Sequence, residues 1–99
     1  MTIEKKVNGT ALEIALEGRL DTMTAPELEA ELNQSLGSAE SLTLDFSKLE
    51  YISSAGLRVL LSAHKVMSAK GGMKLRNVNE IVQEVFEVTG FADILDIES

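Results

Sequence analysis

Leu42-Thr43-Leu44-Asp45-Phe46, a short connection through Tyr51 and Ile52, then Ser53-Ser54-Ala55-Gly56-Leu57 opening a long apolar run to Gly71: this stretch decides the fold. Leu42, Leu44 and Phe46 alternate with Thr43 and Asp45 at the period of two that turns one side of a strand toward a core. From Leu57 onward, Leu57, Val59, Leu60, Leu61, Ala63, Val66 and Met67 cover a broad helical face, with Arg58, Ser62 and Lys65 on the opposite stripe. A strand followed by a mostly buried helix belongs to a parallel α/β sheet. The two serines fall between them, at the carboxyl end of the strand, where ligand and modification sites gather in such sheets.

Outward toward the N-terminus, Ile3 and Val7 frame a strand. Asn8-Gly9 offers the two positive-φ positions of a type I′ turn, and Leu12, Ile14 and Leu16 alternate in the strand that answers. Gly18 reads as the end of that strand, and Arg19 to Met23 as a connection. Thr24-Ala25-Pro26-Glu27 reads as a capping box with proline in the first turn. Leu28, Leu32 and Leu36 then repeat every four residues along a helix ending near Gly37.

Toward the C-terminus, Gly71-Gly72 stops the central helix after Lys70, and Met73 to Arg76 alternates as a strand. Asn77 or Asn79 is placed to cap a further helix with Ile81, Val82, Val85 and Phe86 on its buried stripe, and Gly90 ends it. The tail reads as a short helix from Ala92 to Leu95, a strand from Leu95 to Ile97, or both. The order β-β-α-β-α-β-α plus tail predicts an α/β fold. Its sheet is mixed, with an N-terminal antiparallel hairpin, then parallel strands joined by right-handed crossovers, flanked by three to four helices. The loops carrying Asp21 and Ser53-Ser54 then leave the sheet on one rim, and Asp21, Asp45 and Ser54 are expected to form one acidic, hydroxyl-bearing patch.

Composition narrows the function classes. The 99 residues, 44% hydrophobic and 25% charged, are expected to make one domain spanning 1–99. A chain of that size buries roughly two-thirds of its unfolded surface without staples. Sixteen acidic against nine basic residues leave a net charge of −7. With no basic cluster to offset it, phosphate backbones and anionic membranes are repelled, so neither nucleic acid nor membrane is an expected partner. A basic protein surface is the natural complement. The absence of cysteine removes disulfides, thiolate metal sites and cysteine nucleophiles, and fits a reducing compartment; a cytoplasmic location is expected. No leader pattern is seen, and no apolar run approaches the ~20 residues that span a bilayer.

Catalysis lacks an inventory. The lone histidine, His64, lies on the same helix as Ser54 and too far along it to serve as base for that hydroxyl, so it reads as a boundary or core residue. The Gly-x-Ser-x-Gly elbow, Gly-x-Gly-x-x-Gly, the phosphate loop and His-Glu-x-x-His are all missing. The aspartates are scattered rather than set in a metal loop. No enzyme activity, metal, cofactor or small-molecule substrate is expected. What remains is Ser53-Ser54-Ala55-Gly56, and two readings stand: serine before a helix is the ordinary N-cap and Gly56 permits close packing, yet two serines exceed what one cap requires.

Gly18-Arg19-Leu20-Asp21 with Thr24-Ala25, Leu44-Asp45-Phe46-Ser47 with Leu49, Tyr51-Ile52-Ser53-Ser54-Ala55-Gly56-Leu57, Gly71-Gly72-Met73-Lys74-Leu75, and Phe86 with Thr89-Gly90-Phe91 together resemble the STAS domain of bacterial anti-sigma-factor antagonists, in order and over essentially the whole chain. The resemblance implies a binding module without catalysis of its own. It implies partner switching: the unphosphorylated antagonist captures a serine kinase that doubles as anti-sigma factor, and phosphorylation by that kinase breaks the complex. By position, Ser54 matches the phosphoacceptor, Asp21 the acidic residue of the kinase-facing loop, and Ser53 the helix cap. Asp21, Thr22, Asp45, Ser53, Ser54, Gly56 and Arg58 are the expected partner-binding residues. Ser53 stands where the family usually has aspartate, Ala55 where it has serine or threonine, and Arg58 where glycine is common. The alternative is a constitutive, unmodified STAS subunit docking a transporter or multiprotein signalling assembly.

Overall fold

Alternating apolar side chains build the sheet from one side. Leu12, Ile14 and Leu16, then Leu42, Leu44 and Phe46, then Met73 and Leu75 are buried, while their neighbours Glu13, Ala15, Thr43, Asp45, Lys74 and Arg76 are partly or fully exposed. The computed structural model describes residues 1–98. The elements are β1 (Thr2–Asn8), β2 (Ala11–Leu20), α1 (Ala25–Ser35), β3 (Ser41–Ile52), α2 (Ser54–Ser68), β4 (Met73–Arg76), α3 (Glu80–Thr89), a 3₁₀ turn (Phe91–Asp93) and β5 (Asp96–Ile97). The strands form one sheet in the order β1-β2-β3-β4-β5; β1 runs antiparallel to β2 and every other pair is parallel. The mixed α/β sheet expected from the sequence is the observed one. The ambiguous tail resolves as both a helical turn and a strand, with β5 paired to β4.

The buried stripes of all three helices join the inner face of the sheet in one core. Phe46 and Phe86, both fully buried with ring centroids 6.5 Å apart, tie β3 to α3. Asn79 caps α3, its Oδ1 accepting from the Val82 N–H at 2.8 Å, and its Nδ2 donates to the Leu49 carbonyl at 2.8 Å. At the opposite end of the sheet from the two serines, Lys70 Nζ donates to the carbonyls of Leu36 and Ala39 at 2.6 and 3.0 Å. That lysine closes the carboxyl end of α1, which has no basic residue of its own in its last turn. There too the Gly71 N–H donates to the Glu40 carbonyl at 2.6 Å, and a Cβ on Gly71 would collide with the same oxygen.

Several local expectations are corrected. The hairpin turns on Gly9-Thr10, because Asn8 still pairs with Ala11, and only Gly9 has positive φ, which excludes type I′. Gly18 does not end β2: with φ of 107° it accommodates a register shift, and the strand continues to Leu20. β3 likewise runs on through Tyr51 to Ile52, because it gains a parallel partner in the extended β2. α2 starts at Ser54 and ends at Ser68, slightly short of Lys70. Val66 is 46% exposed at the seam between α1 and α2, and Ile81 is 61% exposed, since α3 docks through buried Val82 and Phe86 with Val85 partly buried against the same core. Thr24 does not cap α1 with its side chain.

Candidate functional site

β2 and β3 stay paired to their last residues, Leu20 opposite Ile52, and the Ser53 N–H donates to the Leu20 carbonyl at 2.9 Å. The two chains therefore leave the sheet side by side, β2 into the loop of Asp21 to Thr24 and β3 directly into α2. Asp21 and Thr24 lock that loop. Asp21 Oδ1 accepts from the backbone N–H of Met23 at 3.0 Å and of Thr24 at 3.2 Å, while the Thr24 hydroxyl donates to the Arg19 carbonyl at 2.7 Å and accepts from the Asp21 N–H at 2.9 Å. These bonds explain why the Thr24 hydroxyl is turned away from α1. The partial burial of Asp21 opposes its charge, but the N–H groups of Thr24 and Met23, the Thr24 hydroxyl and the Arg19 cation outweigh it and hold the carboxyl below the ordinary carboxylate value. It is an anion at neutral pH.

The loop presents Thr22 and Met23 to solvent, and Met23 is 83% exposed, the largest value among the big apolar side chains. Behind it Arg19 lies over the Tyr51 ring, 4.4 Å from its centroid, with its Nε 3.8 Å from Asp21 Oδ2. Sequence reasoning missed both features. An unpaired methionine between two threonines in a turn was a usable signal for Met23. The Arg19–Tyr51 stack had none, since it joins residues on different strands.

Ser53 occupies the cap position without performing the capping. Its backbone is extended, with φ −103° and ψ 176°, and its carbonyl accepts from the Leu57 N–H at 3.0 Å. Its hydroxyl makes no cap bond and is buried with no partner. The expectation that this hydroxyl holds the first turn is thus overturned. Removing an unsatisfied buried hydroxyl relieves a desolvation cost where removing a cap would incur a loss. Ser53→Ala is therefore expected to leave stability unchanged or raise it by up to ~1 kcal/mol, as read by urea denaturation; a loss of ~1 kcal/mol would restore the cap assignment.

Ser54, the first residue of α2, is exposed and its hydroxyl makes no hydrogen bond among the described residues. Arg58, one turn further, is also exposed. Asp21, Thr22, Ser53, Ser54 and Arg58 thus share one rim. Gly56 and Asp45 do not belong to its surface. Gly56 is buried, and a Cβ there would lie 2.8 Å from Leu20 Cγ and 2.9 Å from Ile52 Cγ1, so the position serves packing. Asp45 pairs across from Ala15 and Arg76 in mid-sheet, roughly 26 Å along the strand from Ser53 at about 3.3 Å per residue. Its Oδ1 accepts from Asn77 Nδ2 at 3.0 Å and from the Ser47 N–H at 2.9 Å. Burial raises that carboxyl's pKa, and the Asn77 and Ser47 hydrogen bonds with the Arg76 charge bring it below the ordinary value. The bonded partner Asn77 sits at φ 60°, so Asp45 braces a left-handed turn. The single patch of Asp21, Asp45 and Ser54 is not formed.

Among the described residues no group of three or more His, Cys, Asp or Glu is arranged to hold a metal, and no helix is long and apolar enough to cross a membrane. A family model described as "Mlab, STAS domain" matches residues 3–96. The putative anti-sigma factor antagonist BtrV of Bordetella bronchiseptica is 38% identical over 94 residues, 93% of this chain and 80% of that protein. The chain belongs to the STAS domain family of anti-sigma-factor antagonists. The anti-sigma-B factor antagonist of Bacillus subtilis is 28% identical over 100 residues, covering 100% of this STAS domain and 92% of the relative. The fold is that of the anti-sigma factor antagonist SpoIIAA. In its unphosphorylated form SpoIIAA superposes with a TM-score of 0.77 at 19% identity, over 99% of this chain and 88% of that one. In the phosphorylated form the values are 0.76, 20%, 99% and 92%.

Proposed function

We propose that this STAS domain, residues 1–99 acting as one unit in the cytoplasm, is an anti-sigma-factor antagonist that binds a serine-kinase anti-sigma factor and is released when that kinase phosphorylates Ser54. The observation that carries the reading is the position of Ser54: exposed, first in α2, with a free hydroxyl beside the exposed Asp21 loop. Kinship with named antagonists, one of them solved in phosphorylated and unphosphorylated forms, supports it. In the transfer, Ser54 Oγ takes the γ-phosphoryl group of ATP, ADP leaves, and the hydroxyl proton passes to a base of the kinase.

Phosphate adds about −1.5 to −2 charges to a chain already at −7. A helix N-terminus tolerates that charge, so the fold persists and dissociation comes from repulsion and steric blocking in the interface. The direct test is calorimetric titration of the unphosphorylated domain into a candidate anti-sigma serine kinase from the same organism. Saturable 1:1 binding is expected; no binding would sink the reading.

Met23 should anchor that complex. A largely exposed flexible apolar side chain at the tip of a locked loop becomes buried only when a partner covers it. Met23→Ala is expected to weaken kinase binding by about tenfold or more, in the range of an interface anchor, with the melting temperature unchanged. Equal affinity would place the loop outside the interface. The alternative, a constitutive subunit of a transporter or signalling assembly, is favoured by Ser53 and Ala55 standing at positions where the family flanks its acceptor differently. It predicts partner binding that ATP and kinase leave untouched.

A further inference from the structure

α2 begins without an anion. No acidic residue lies in its first turn, whereas α1 has Glu27 and α3 has Glu80 there, with Asn79 as a bonded cap. The Ser53 hydroxyl, which could have answered the first-turn N–H groups, is buried beside them without a partner. No side chain of the cap or first turn offsets their partial positive charge. One turn along stands Arg58, a cation where the helix dipole disfavours one. It is exposed and, among the described residues, makes no ion pair, hydrogen bond or ring contact. The other two arginines are engaged, Arg19 with Tyr51 and Asp21, Arg76 with Glu13 and Glu98.

Ser54 and Arg58 are four residues apart on α2. Side chains so spaced share a face with Cβ atoms about 5–6 Å apart. A helical side chain leans toward the N-terminus, so the guanidinium at 58 covers the surface over position 54. Anion before cation is the favourable order along a helix, and a guanidinium meets a phosphate through two parallel N–H···O bonds. We propose that Arg58 is the clamp for the phosphate on Ser54, holding it against the N-terminus of α2 so that the modified domain keeps its fold while Arg58 is withdrawn from the rim. This inference rests on the reading of Ser54 as the phosphoacceptor.

The test uses full-length protein with phosphoserine placed at position 54 during synthesis, so it does not depend on any kinase. Phosphorus NMR follows the second phosphate ionisation in the wild type, Arg58→Gln and Arg58→Lys. The expected midpoint in the wild type lies below the usual value of about 6, rising by about half a unit in Arg58→Gln. Arg58→Lys, which keeps the charge and loses the fork, should fall between them. Arg19 and Asp21, the other charged groups of the rim, are common to all three proteins, so the difference reads Arg58 alone. The same Arg58→Gln change should lower the melting temperature of the phosphorylated form and leave that of the unphosphorylated form unchanged. Identical titrations in the three proteins would overturn the clamp. Failure of the kinase to label Ser54 would instead overturn the switch, so the two failures are distinguishable.

Discussion

Gly56→Ala is expected to destabilise the domain by about 2 kcal/mol, against the usual sign for a helical glycine. Glycine to alanine inside a helix gains up to ~1 kcal/mol from propensity. Here the new Cβ would sit 2.8 Å from Leu20 Cγ and 2.9 Å from Ile52 Cγ1, with Leu20 Cδ2 at 3.1 Å. Those are branch atoms close to the backbone of two paired strands, and both side chains are at most 1% exposed. Neither can step aside without moving the carboxyl ends of β2 and β3. Overpacking of a core costs typically 1–3 kcal/mol, and forced shifts on two sides at once place this case high in that range, outweighing the helix gain. For a chain of this length the loss corresponds to a melting temperature lower by about 8–16 °C. Calorimetry decides it: a variant as stable as the wild type would show that α2 does not press on the strand ends as described.

Ser54→Asp should have the largest effect on binding and almost none on folding. An aspartate at the first position of α2 supplies the anion that the helix lacks, so stability is expected to hold or rise by a few tenths of a kcal/mol. In the complex the same charge faces the surface that receives the unmodified hydroxyl, and an uncompensated or like-charged contact there costs about 2 kcal/mol or more, a weakening of about 30-fold. Ser54→Ala separates the two roles. It should bind the kinase like the wild type and resist release by ATP. If Ser54→Asp bound as tightly as the wild type, charge at this position would not be the switch.

The architecture was legible because the alternations of Leu12-Ile14-Leu16 and Leu42-Leu44-Phe46, and the stripes on α1 and α2, are local patterns with periods that only one element satisfies. Strand ends were not. Gly18 and Tyr51-Ile52 look like breaks when each chain is read alone, and become strand because each supplies the other's pairing partner. The rim was half legible. Ser54 and Asp21 were placed by strand and helix order, but Asp45 was grouped with them because the central strand was read as stopping at Phe46; β3 runs on to Ile52, and the bonded partner of Asp45, Asn77, lies 32 residues away. The Ser53 side chain was misread because a cap position and a capping hydrogen bond are different things: backbone dihedrals set the first, and the direction of one hydroxyl sets the second. The sequence offered a hint of Met23 in its place between two threonines, but neither its exposure nor the lack of a partner at Arg58 could be read there, since both are properties of the folded surface.

Incubating the domain with the proposed serine kinase and ATP, then mapping the phosphate by fragment mass spectrometry while following the complex by size exclusion, tests the central claim most directly. One phosphate on Ser54, with dissociation of the complex in step with its incorporation, is the predicted result. Absence of phosphate uptake, phosphate on Ser53, or label that survives Ser54→Ala would contradict it.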